Sequence, residues 1–360
     1  MYAIGSLYKA NKETIDGQQK TVDAHKQLLR VIKDFAVSAN WTVIDYKEDF
    51  ISGISPIEAD LTSYNVDDIE QRLLTIENPT SDLYITFITS SSHATDAFNI
   101  GVWISPDYDT DKAYTSQDYQ IVRTWLAAND SLEYFLTIDN DTLVGFLFAN
   151  NQYSSHIYAG RIDQFEDRTK YPFACILGTN LTGNAFSITT PISQGGNYPY
   201  YMGDVSGYGL ILQNDNKEDV MNYSNNVNTR DGLYKPDMSV GQFSCITPGY
   251  DNYPVDGDYF IGELYIKAGV GGGVFDGMRF GVDPYCFFGK IKNVYKISGY
   301  NLYTKYVVQV GGTPITNANS DALSVKGYVD AIIQSGGRAF IVANDLSRIT
   351  NQSYVCIEMS

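Results

Sequence analysis

One hairpin pattern occurs twice in this sequence, and it decides the fold. Residues 133–151 read EYFLTIDNDTLVGFLFANN, and residues 336–351 read GGRAFIVANDLSRITN. In both, an apolar run stops at Ala-Asn, and a second apolar stretch, centred on Tyr158 or Tyr354, follows within about ten residues. This spacing predicts a strand, a turn and a second strand. The repetition raises the hypothesis of two related β units, although one shared motif is thin support for a full duplication.

Polar residues mark the ends of the first hairpin. Asp139, Asn140 and Asp141 lie at one end, and Asn150 and Asn151 lie at the other. Two neighbouring carboxylates suggest the acid–base pair of a glycoside hydrolase. However, Asp and Asn are also the residues that tight turns require, because they tolerate left-handed backbone and hydrogen-bond their own chain. The turn interpretation is the stronger of the two.

Outward from the hairpin, the clearest helix is predicted at residues 21–40, TVDAHKQLLRVIKDFAVSAN. Apolar residues recur there every three or four positions and form one stripe, made of Leu28, Leu29, Ile32, Phe35 and Ala36. Thr21 is the expected N-cap, and Asp23 suits the first turn. Residues 41–46, WTVIDY, predict a strand directly after the helix, so the chain opens with a helix docked on a sheet.

The rest of the pattern is nearly all β. Strands are predicted at residues 81–90, 97–106, 134–138, 142–149, 156–162, 173–177, 185–190, 259–269, 290–299, 305–312, 339–343 and 353–359. Short helices are expected at residues 67–76 and 119–128. The predicted class is α+β, predominantly antiparallel β, with the N-terminal helix docked on a sheet and β-sandwich-like units after it.

Residues 192–257 differ from the chain on either side, because they combine many loop-forming residues with aromatic ones. We therefore predict three regions. Residues 1–191 form an N-terminal α+β domain with a β-meander, residues 192–257 a loop-rich aromatic excursion or boundary, and residues 258–360 a C-terminal β domain.

Composition excludes several functional classes. The formal net charge of −17, with no Lys/Arg cluster, repels phosphate backbones, so we expect no nucleic-acid partner. The four cysteines and three histidines lack the close spacing of a zinc site, and the cysteines are expected to pack in reduced form. Residues 1–20 lack the apolar core of a signal peptide, and no apolar run could span a membrane. We expect synthesis in a cytoplasm.

The strongest local match to a chemical motif is an acidic loop at residues 107–118, DYDTDKAYTSQD. Asp107, Asp109, Asp111 and Asp118 stand at the positions that a twelve-residue calcium loop uses for oxygen ligands. Lys112 occupies the position where such a loop needs glycine, and no helix precedes it. Two interpretations stay open: a Ca²⁺ site formed by these four residues, or a solvated acidic turn.

No catalytic constellation stands out in the sequence. The glycine-rich residues 269–273 lack the lysine and the following helix of a phosphate-binding loop. His156 adjoins Ser154 and Ser155, but it lies in a strand pattern, and no Gly-x-Ser-x-Gly elbow is present. We therefore expect that the protein is not an enzyme and needs no cofactor.

The order of motifs resembles a group of virion structural proteins of tailed bacteriophages. Such proteins begin with a short strand like Ile4-Gly5-Ser6, followed by a leucine-rich helix and a strand like Trp41-Thr42-Val43. A central segment is similar to residues 134–162, followed by an element like Tyr171-Pro172-Phe173. Near the end come a Gly-x-x-x-x-Val-Tyr-x-x-Ser-Gly strand, here residues 289–299, and Val-Gly-Gly, here residues 310–312. Residues 192–257 have no counterpart in that group, and residues 324–345 are an addition before the terminal strand.

The resemblance implies a structural subunit of a phage particle, in its tail, baseplate or neck, located in the virion. Its partners would be copies of itself and neighbouring virion proteins, bound through sheet faces, long loops and edge strands. An alternative is a receptor- or carbohydrate-binding tail component, with residues 192–257 facing a host-surface glycan. A third alternative, from another class, is a glycan-degrading enzyme that uses surface carboxylates.

Overall fold

The computed structural model describes the chain in fifteen segments. They comprise residues 1–49, 71–89, 99–117, 121–127, 131–149, 153–164, 173–179, 208–213, 219–223, 242–246, 260–269, 287–298, 332–335, 338–344 and 354–359. Across these residues the fold is one α-helix followed by antiparallel sheets. The predicted class, α+β with mainly antiparallel strands and an N-terminal helix packed on a sheet, is confirmed.

The largest described layer, which we call the main sheet, has seven antiparallel strands. In spatial order they are β1 (Tyr2–Leu7), β9 (Leu132–Ile138), β10 (Thr142–Ala149), β11 (Tyr153–Arg161), β13 (Phe173–Thr179), β14 (Tyr208–Gln213) and β15 (Asp219–Tyr223). The first hairpin of the sequence forms the β10–β11 pair at its centre. Among the described strands, β1 ends the sheet on one side.

Two further layers accompany the main sheet. The second sheet contains β4 (Thr42–Lys47), β5 (Leu73–Glu77), β6 (Tyr84–Thr89), β7 (Asn99–Ser105) and β8 (Ile121–Leu126). The third sheet runs in the order β16 (Gln242–Ile246), β17 (Phe260–Gly269), β18 (Phe287–Ser298), β21 (Tyr354–Glu358), β20 (Arg338–Asn344) and β19 (Ile332–Ser335), and β12 (Asp163–Gln164) pairs with β18.

The helix α1 (Ala24–Ser38) begins three residues later than predicted. The predicted cap, Thr21, instead lies in a hairpin of β2 (Ala10–Ile15) and β3 (Gln18–Asp23). Asp23 is the N-cap residue, without a side-chain capping hydrogen bond. The hairpin turns at Asp16 and Gly17, whose φ angles of 51° and 76° match the Asp-Gly turn that two-residue hairpins favour. That dipeptide was a usable hairpin signal in the sequence.

Both short helices expected beyond α1 are wrong where the structure describes them. Within residues 67–76, the described part ends in β5, and within residues 119–128 it forms β8. Short apolar runs cannot be assigned to helix or strand by periodicity alone, so packing decides. In β8 the fully buried Trp125 lies against Gly145 of the main sheet, where a Cβ on Gly145 would come within 2.8 Å of the indole ring.

One hydrophobic core joins the helix to two sheets. It contains the apolar stripe of α1, the inner side chains of the second sheet, and the inner face of the main sheet. Representative members are Leu28, Ile32, Ile85, Trp125 and Leu147, all at most 2% exposed. The main sheet is therefore covered on its inner face by α1 and the second sheet.

Both copies of the repeated motif form antiparallel strand pairs, but the two pairs differ in which residues lie opposite each other. The two copies lie in different sheets, β10–β11 in the main sheet and β20–β21 in the third. Tyr158 pairs with Val144, which precedes the shared apolar core, whereas Tyr354 pairs with Asn344, which ends it. The tyrosines are thus not equivalent, and the two related units stay a hypothesis.

The domain division also stays a prediction. Within residues 192–257, the strands β14 and β15 belong to the main sheet, and β16 belongs to the third sheet. Of the strands predicted from sequence, those at residues 185–190 and 305–312 lie outside the described residues.

Candidate functional site

The turn between β9 and β10 is closed by its own residues. The Asp139 N–H donates to the Thr142 carbonyl oxygen (3.0 Å), and the Asp139 carboxylate accepts the N–H of Asp141 (2.8 Å). In the second bond a side chain replaces a backbone acceptor, as Asp does in tight turns. The predicted turn at residues 139–141 is confirmed.

The same two carboxylates also reach the third sheet. Asn293 donates its side-chain N–H to Asp139 Oδ2 (3.1 Å). Lys292 Nζ lies 3.2 Å from Asp141 Oδ2 and 3.4 Å from Asp163 Oδ1. Both partners belong to β18, so the turn of one sheet is held by side chains of another. We call Asp139, Asn140, Asp141, Lys292 and Asn293 the turn junction.

The carbonyl oxygens of the turn bind three other elements. Trp41, just after α1, donates its indole N–H to the Asp139 carbonyl (2.8 Å). Asn78, between β5 and β6, donates to the Asn140 carbonyl (3.3 Å). The N–H of Arg161 in β11 donates to the Asp141 carbonyl (2.9 Å). The helix end and all three sheets therefore meet at this turn.

A cleft of about 460 Å³ opens beside the turn junction. Its lining includes the charged side chains of Asp139, Asp141 and Lys292, together with Asn40 and Met1. This volume suits a small polar molecule. The charged groups already bind one another or β18, however, so a ligand would compete with contacts that hold the sheets together.

Lys292 keeps its charge over the whole physiological range. Burial alone would lower its pKa, but the carboxylates of Asp163, Asp141 and Asp139 outweigh burial, so the pKa of Lys292 is raised. Because the pKa is raised, the stabilisation that the charged Lys292 gains from these carboxylates is fully present below the unfolded-state pKa of about 10.4. It is lost only as the pH rises through the folded-state pKa.

We expect Lys292→Met to lower the free energy of unfolding by about 1–2 kcal/mol, because Asp141 loses its charged partner while the aliphatic stem keeps its packing. Chemical denaturation should give the same loss at about pH 7 and about pH 9, since Lys292 is charged at both. Asp163→Asn is the matched control and should cost less, because the Asp163 side chain is 46% exposed against 29% for Asp141. Equal losses from both variants would contradict the junction.

At β10 and β11 the outer face of the main sheet is also buried, and it holds two titratable side chains. Burial raises the pKa of the Tyr158 hydroxyl, which donates to the Arg161 carbonyl (2.8 Å) and accepts the N–H of Lys292 (3.4 Å). Burial lowers the pKa of His156, which packs against the Phe146 ring in an edge-on arrangement. At 1% exposure, His156 is not accessible to a substrate.

We expect His156 to make stability fall with acidification. Its folded-state pKa lies below the unfolded value of about 6.5, so at lower pH the unfolded chain binds more protons. The free energy of unfolding should decline below that pH with a slope approaching about 1.4 kcal/mol per pH unit. Denaturation of His156→Phe between pH 5 and pH 7 should show a shallower slope than the parent chain. Parallel slopes would contradict the buried neutral imidazole.

Of the four predicted calcium ligands, the structure describes Asp107, Asp109 and Asp111. Asp107 accepts the N–H of Tyr108 (2.8 Å), and Asp109 accepts the N–H of Asp111 (2.9 Å). Gln117 organises the loop instead, exchanging hydrogen bonds with the Asp109 backbone at 2.7 and 2.8 Å. Within the described residues no group of three or more His, Cys, Asp or Glu side chains could hold a metal ion. Asp118 lies outside the described residues, so the Ca²⁺ site stays a prediction.

A second polar cluster lies where β2, α1 and the second sheet meet; we call Glu13, Arg30, Glu48 and Arg72 the ion cluster. The Arg72 side chain is fully buried, and its Nη2 lies 2.5 Å from Glu13 Oε2. Glu13 also contacts Arg30 Nη1 at 2.9 Å, and Arg30 in turn pairs with Glu48. Arg72 donates further to the Lys26 carbonyl (2.9 Å) and the Glu48 carbonyl (3.3 Å). The buried guanidinium is thus fully compensated.

Sequence patterns missed the ion cluster and the part of the turn junction that β18 contributes. Lys292 and Asn293 were interpreted only as part of a strand, and Arg72 as part of a helix. The sequence did contain one signal: Lys292 and Asn293 are adjacent polar residues that interrupt the apolar alternation of β18. In the structure, Asn293 has a φ of 61° at this interruption. No local pattern connects these residues to a turn more than 150 positions away.

Compared with models of known protein families and with curated proteins, the chain matches none. Within the described residues, no helix has the length and hydropathy needed to cross a bilayer.

Proposed function

We propose that this chain is a structural subunit of a bacteriophage particle, in the tail, baseplate or neck. It would assemble with copies of itself and with neighbouring virion proteins. The observation that carries the proposal is the surface at β1, where an edge strand without charged side chains exposes large apolar residues. Soluble proteins usually protect such edges with charges, proline or bulges, so an unprotected edge indicates a contact surface.

The motifs of the phage resemblance support the same proposal because they form one body. Residues of the strand at β1, the leucine-rich helix, the Trp-Thr-Val strand and the central meander contribute to a single core, as Leu7, Leu28, Trp41, Leu136 and Leu147 show. The polar turn at the centre of that body binds other parts of the chain. These bonds give the turn a structural role in connecting elements of the chain.

Purified particles of a phage that encodes this chain provide the test. Mass spectrometry of intact particles should find the chain in a fixed ratio to the other virion proteins. Particles assembled without its gene should lack one discrete part or fail to assemble, and expression of the chain in trans should restore them. Complete, infectious particles without the chain would refute the proposal.

One observation favours the enzyme alternative enough to merit a test: Asp139 and Asp141 both line the cleft. If they were a catalytic pair, Asp139→Asn and Asp141→Asn would each abolish the release of reducing sugar ends from host-surface glycan. We expect the parent chain to release none. The receptor-binding alternative relies on residues 192–257. Of these, the structure describes only the strands β14, β15 and β16.

A further inference from the structure

The edge of β1 that no other described strand pairs with presents a defined set of backbone groups. Met1 and Ile138 exchange hydrogen bonds at 3.0 and 3.3 Å, which identifies them as a hydrogen-bonded pair of the β1–β9 ladder. Hydrogen-bonded and non-hydrogen-bonded pairs alternate in an antiparallel ladder, so Ala3, Gly5 and Leu7 also direct their backbone groups at β9. Tyr2, Ile4 and Ser6 consequently direct their N–H and C=O groups away from the sheet.

The side chains at this edge are apolar and exposed. Tyr2 is 46% exposed and Ile4 is 42% exposed, and both lie on the outer face of β1, while Ala3 and Leu7 face the core. Met1 and Val37 of α1 are each 53% exposed, and Met1 lies against Ser38 beside Val37. Within the described residues, all large apolar side chains that are exposed belong to this end of the molecule or to Tyr8, next to it.

The edge lacks the usual protection against pairing. Residues 1–8, MYAIGSLY, contain no charged side chain and no proline, and the β1–β9 register runs without a bulge. The whole chain carries a net charge of −17, so two copies repel each other over most of their surfaces. An edge without charged side chains is where two such copies can approach with the least repulsion.

We propose that β1 pairs with β1 of a second copy, antiparallel, about a two-fold axis at Ile4. In this register Ile4 faces its own equivalent, Tyr2 faces the partner's Ser6, and Ala3 faces the partner's Gly5. Each large side chain on the outer face is thus opposed by a small one, or by itself at the axis. All three outward-directed residues form hydrogen-bonded pairs, and two main sheets become one continuous sheet.

This pairing deepens the proposed function, on which it rests, by naming the contact that joins copies of the subunit. It commits to a second copy because only this register pairs all three outward-directed residues of β1 with one another. Pairing about Gly5 would set Ile4 against Ser6 and Ala3 against Leu7, and Tyr2 would face Tyr8, which lies beyond the end of β1. Isologous pairing at one edge also closes after two copies, which avoids open-ended fibres.

Sedimentation of the full chain tests the contact. The parent chain should form dimers in a concentration-dependent way, and Ile4→Lys should weaken association by about tenfold or more, because it sets two ammonium groups directly opposite each other. Tyr8→Lys is the matched control, since Tyr8 is also exposed but lies beyond the paired residues. Circular dichroism should show the same fold for all three chains. A parent chain that stays monomeric at the highest concentration would overturn the proposal, as would equal weakening by both variants.

Crosslinking tests the register. A short bis-maleimide should join two copies of the Ile4→Cys chain, whose thiols face each other across the axis. It should not join two copies of the Ser6→Cys chain, whose thiols lie about 14 Å apart along the strands. A mixture of Tyr2→Cys and Ser6→Cys chains should crosslink to each other. The parent chain, with its native cysteines, sets the background, and equal crosslinking of Ile4→Cys and Ser6→Cys would contradict the register.

The same variants separate this inference from the proposed function. If the chain occurs in particles but Ile4→Cys gives no crosslink in solution or in particles, the β1 pairing is wrong and the virion proposal stands. If Ile4→Cys crosslinks in solution but particles lack the chain, the pairing stands and the virion proposal fails.

Discussion

Glu13→Gln is expected to lower the free energy of unfolding by about 3–5 kcal/mol, because it removes the carboxylate that compensates a fully buried guanidinium. Glu13 Oε2 lies 2.5 Å from Arg72 Nη2, and the Arg72 side chain is 0% exposed. The glutamine keeps the shape of the side chain and one acceptor oxygen, so the loss reports the missing charge. Urea denaturation followed by circular dichroism measures it.

Two further variants decide whether the ion cluster is the cause. Glu48→Gln removes the other carboxylate bound to Arg30, but the Glu48 side chain is 31% exposed, so the loss should be at most about 1 kcal/mol. The double variant Glu13→Gln with Arg72→Met removes the buried charge together with its partner and should recover much of the lost stability. If Glu13→Gln costs no more than Glu48→Gln, the ion cluster is not what holds β2 against the second sheet.

Gly160→Ala is expected to cost about 3 kcal/mol, because the added methyl group meets backbone that cannot move aside. A Cβ at residue 160 would lie 2.5 Å from the Asp141 carbonyl oxygen and 2.6 Å from Thr142 Cα. Relief of this overlap requires β11 to separate from the β9–β10 turn. The hydrogen bond from Arg161 N–H to the Asp141 carbonyl would then break as well.

Gly5→Ala is the matched control for that prediction. Its Cβ would also approach another atom closely, at 2.4 Å, but that atom is the hydroxyl of Tyr134, at the far end of a side chain that can rotate. We therefore expect a smaller loss of stability than from Gly160→Ala. Denaturation midpoints of the two variants measure the difference. A larger loss from Gly5→Ala would show that the turn junction tolerates displacement.

Local patterns predicted the elements that local physics determines. The meander β9–β10–β11 follows from apolar runs separated by the turn-forming residue types Asp-Asn-Asp and Asn-Asn. The helix α1 follows from the periodic stripe from Leu28 to Ala36. The errors occur where a short apolar run fits either periodicity. The run containing Trp125 became a strand because the indole is packed beneath the main sheet, and no local feature encodes that contact.

The candidate site could be predicted only in part. Asp139 and Asp141 were predicted as turn residues, but no sequence pattern placed Lys292 and Asn293 beside them. Such long-range pairs depend on how whole sheets pack, which a single sequence does not specify locally. The same holds for Glu13 and Arg72, which lie 59 positions apart. By contrast, the sequence shows directly that residues 1–8 contain no charged side chain. Only the structure shows that several of these side chains are exposed.

The most direct test of the proposed function is a cryo-EM map of the intact phage particle that encodes this chain. We expect density for the seven-stranded main sheet at symmetry-related positions in the tail, baseplate or neck, with pairs of copies in contact along β1. A complete particle map in which every density belongs to other proteins would contradict it.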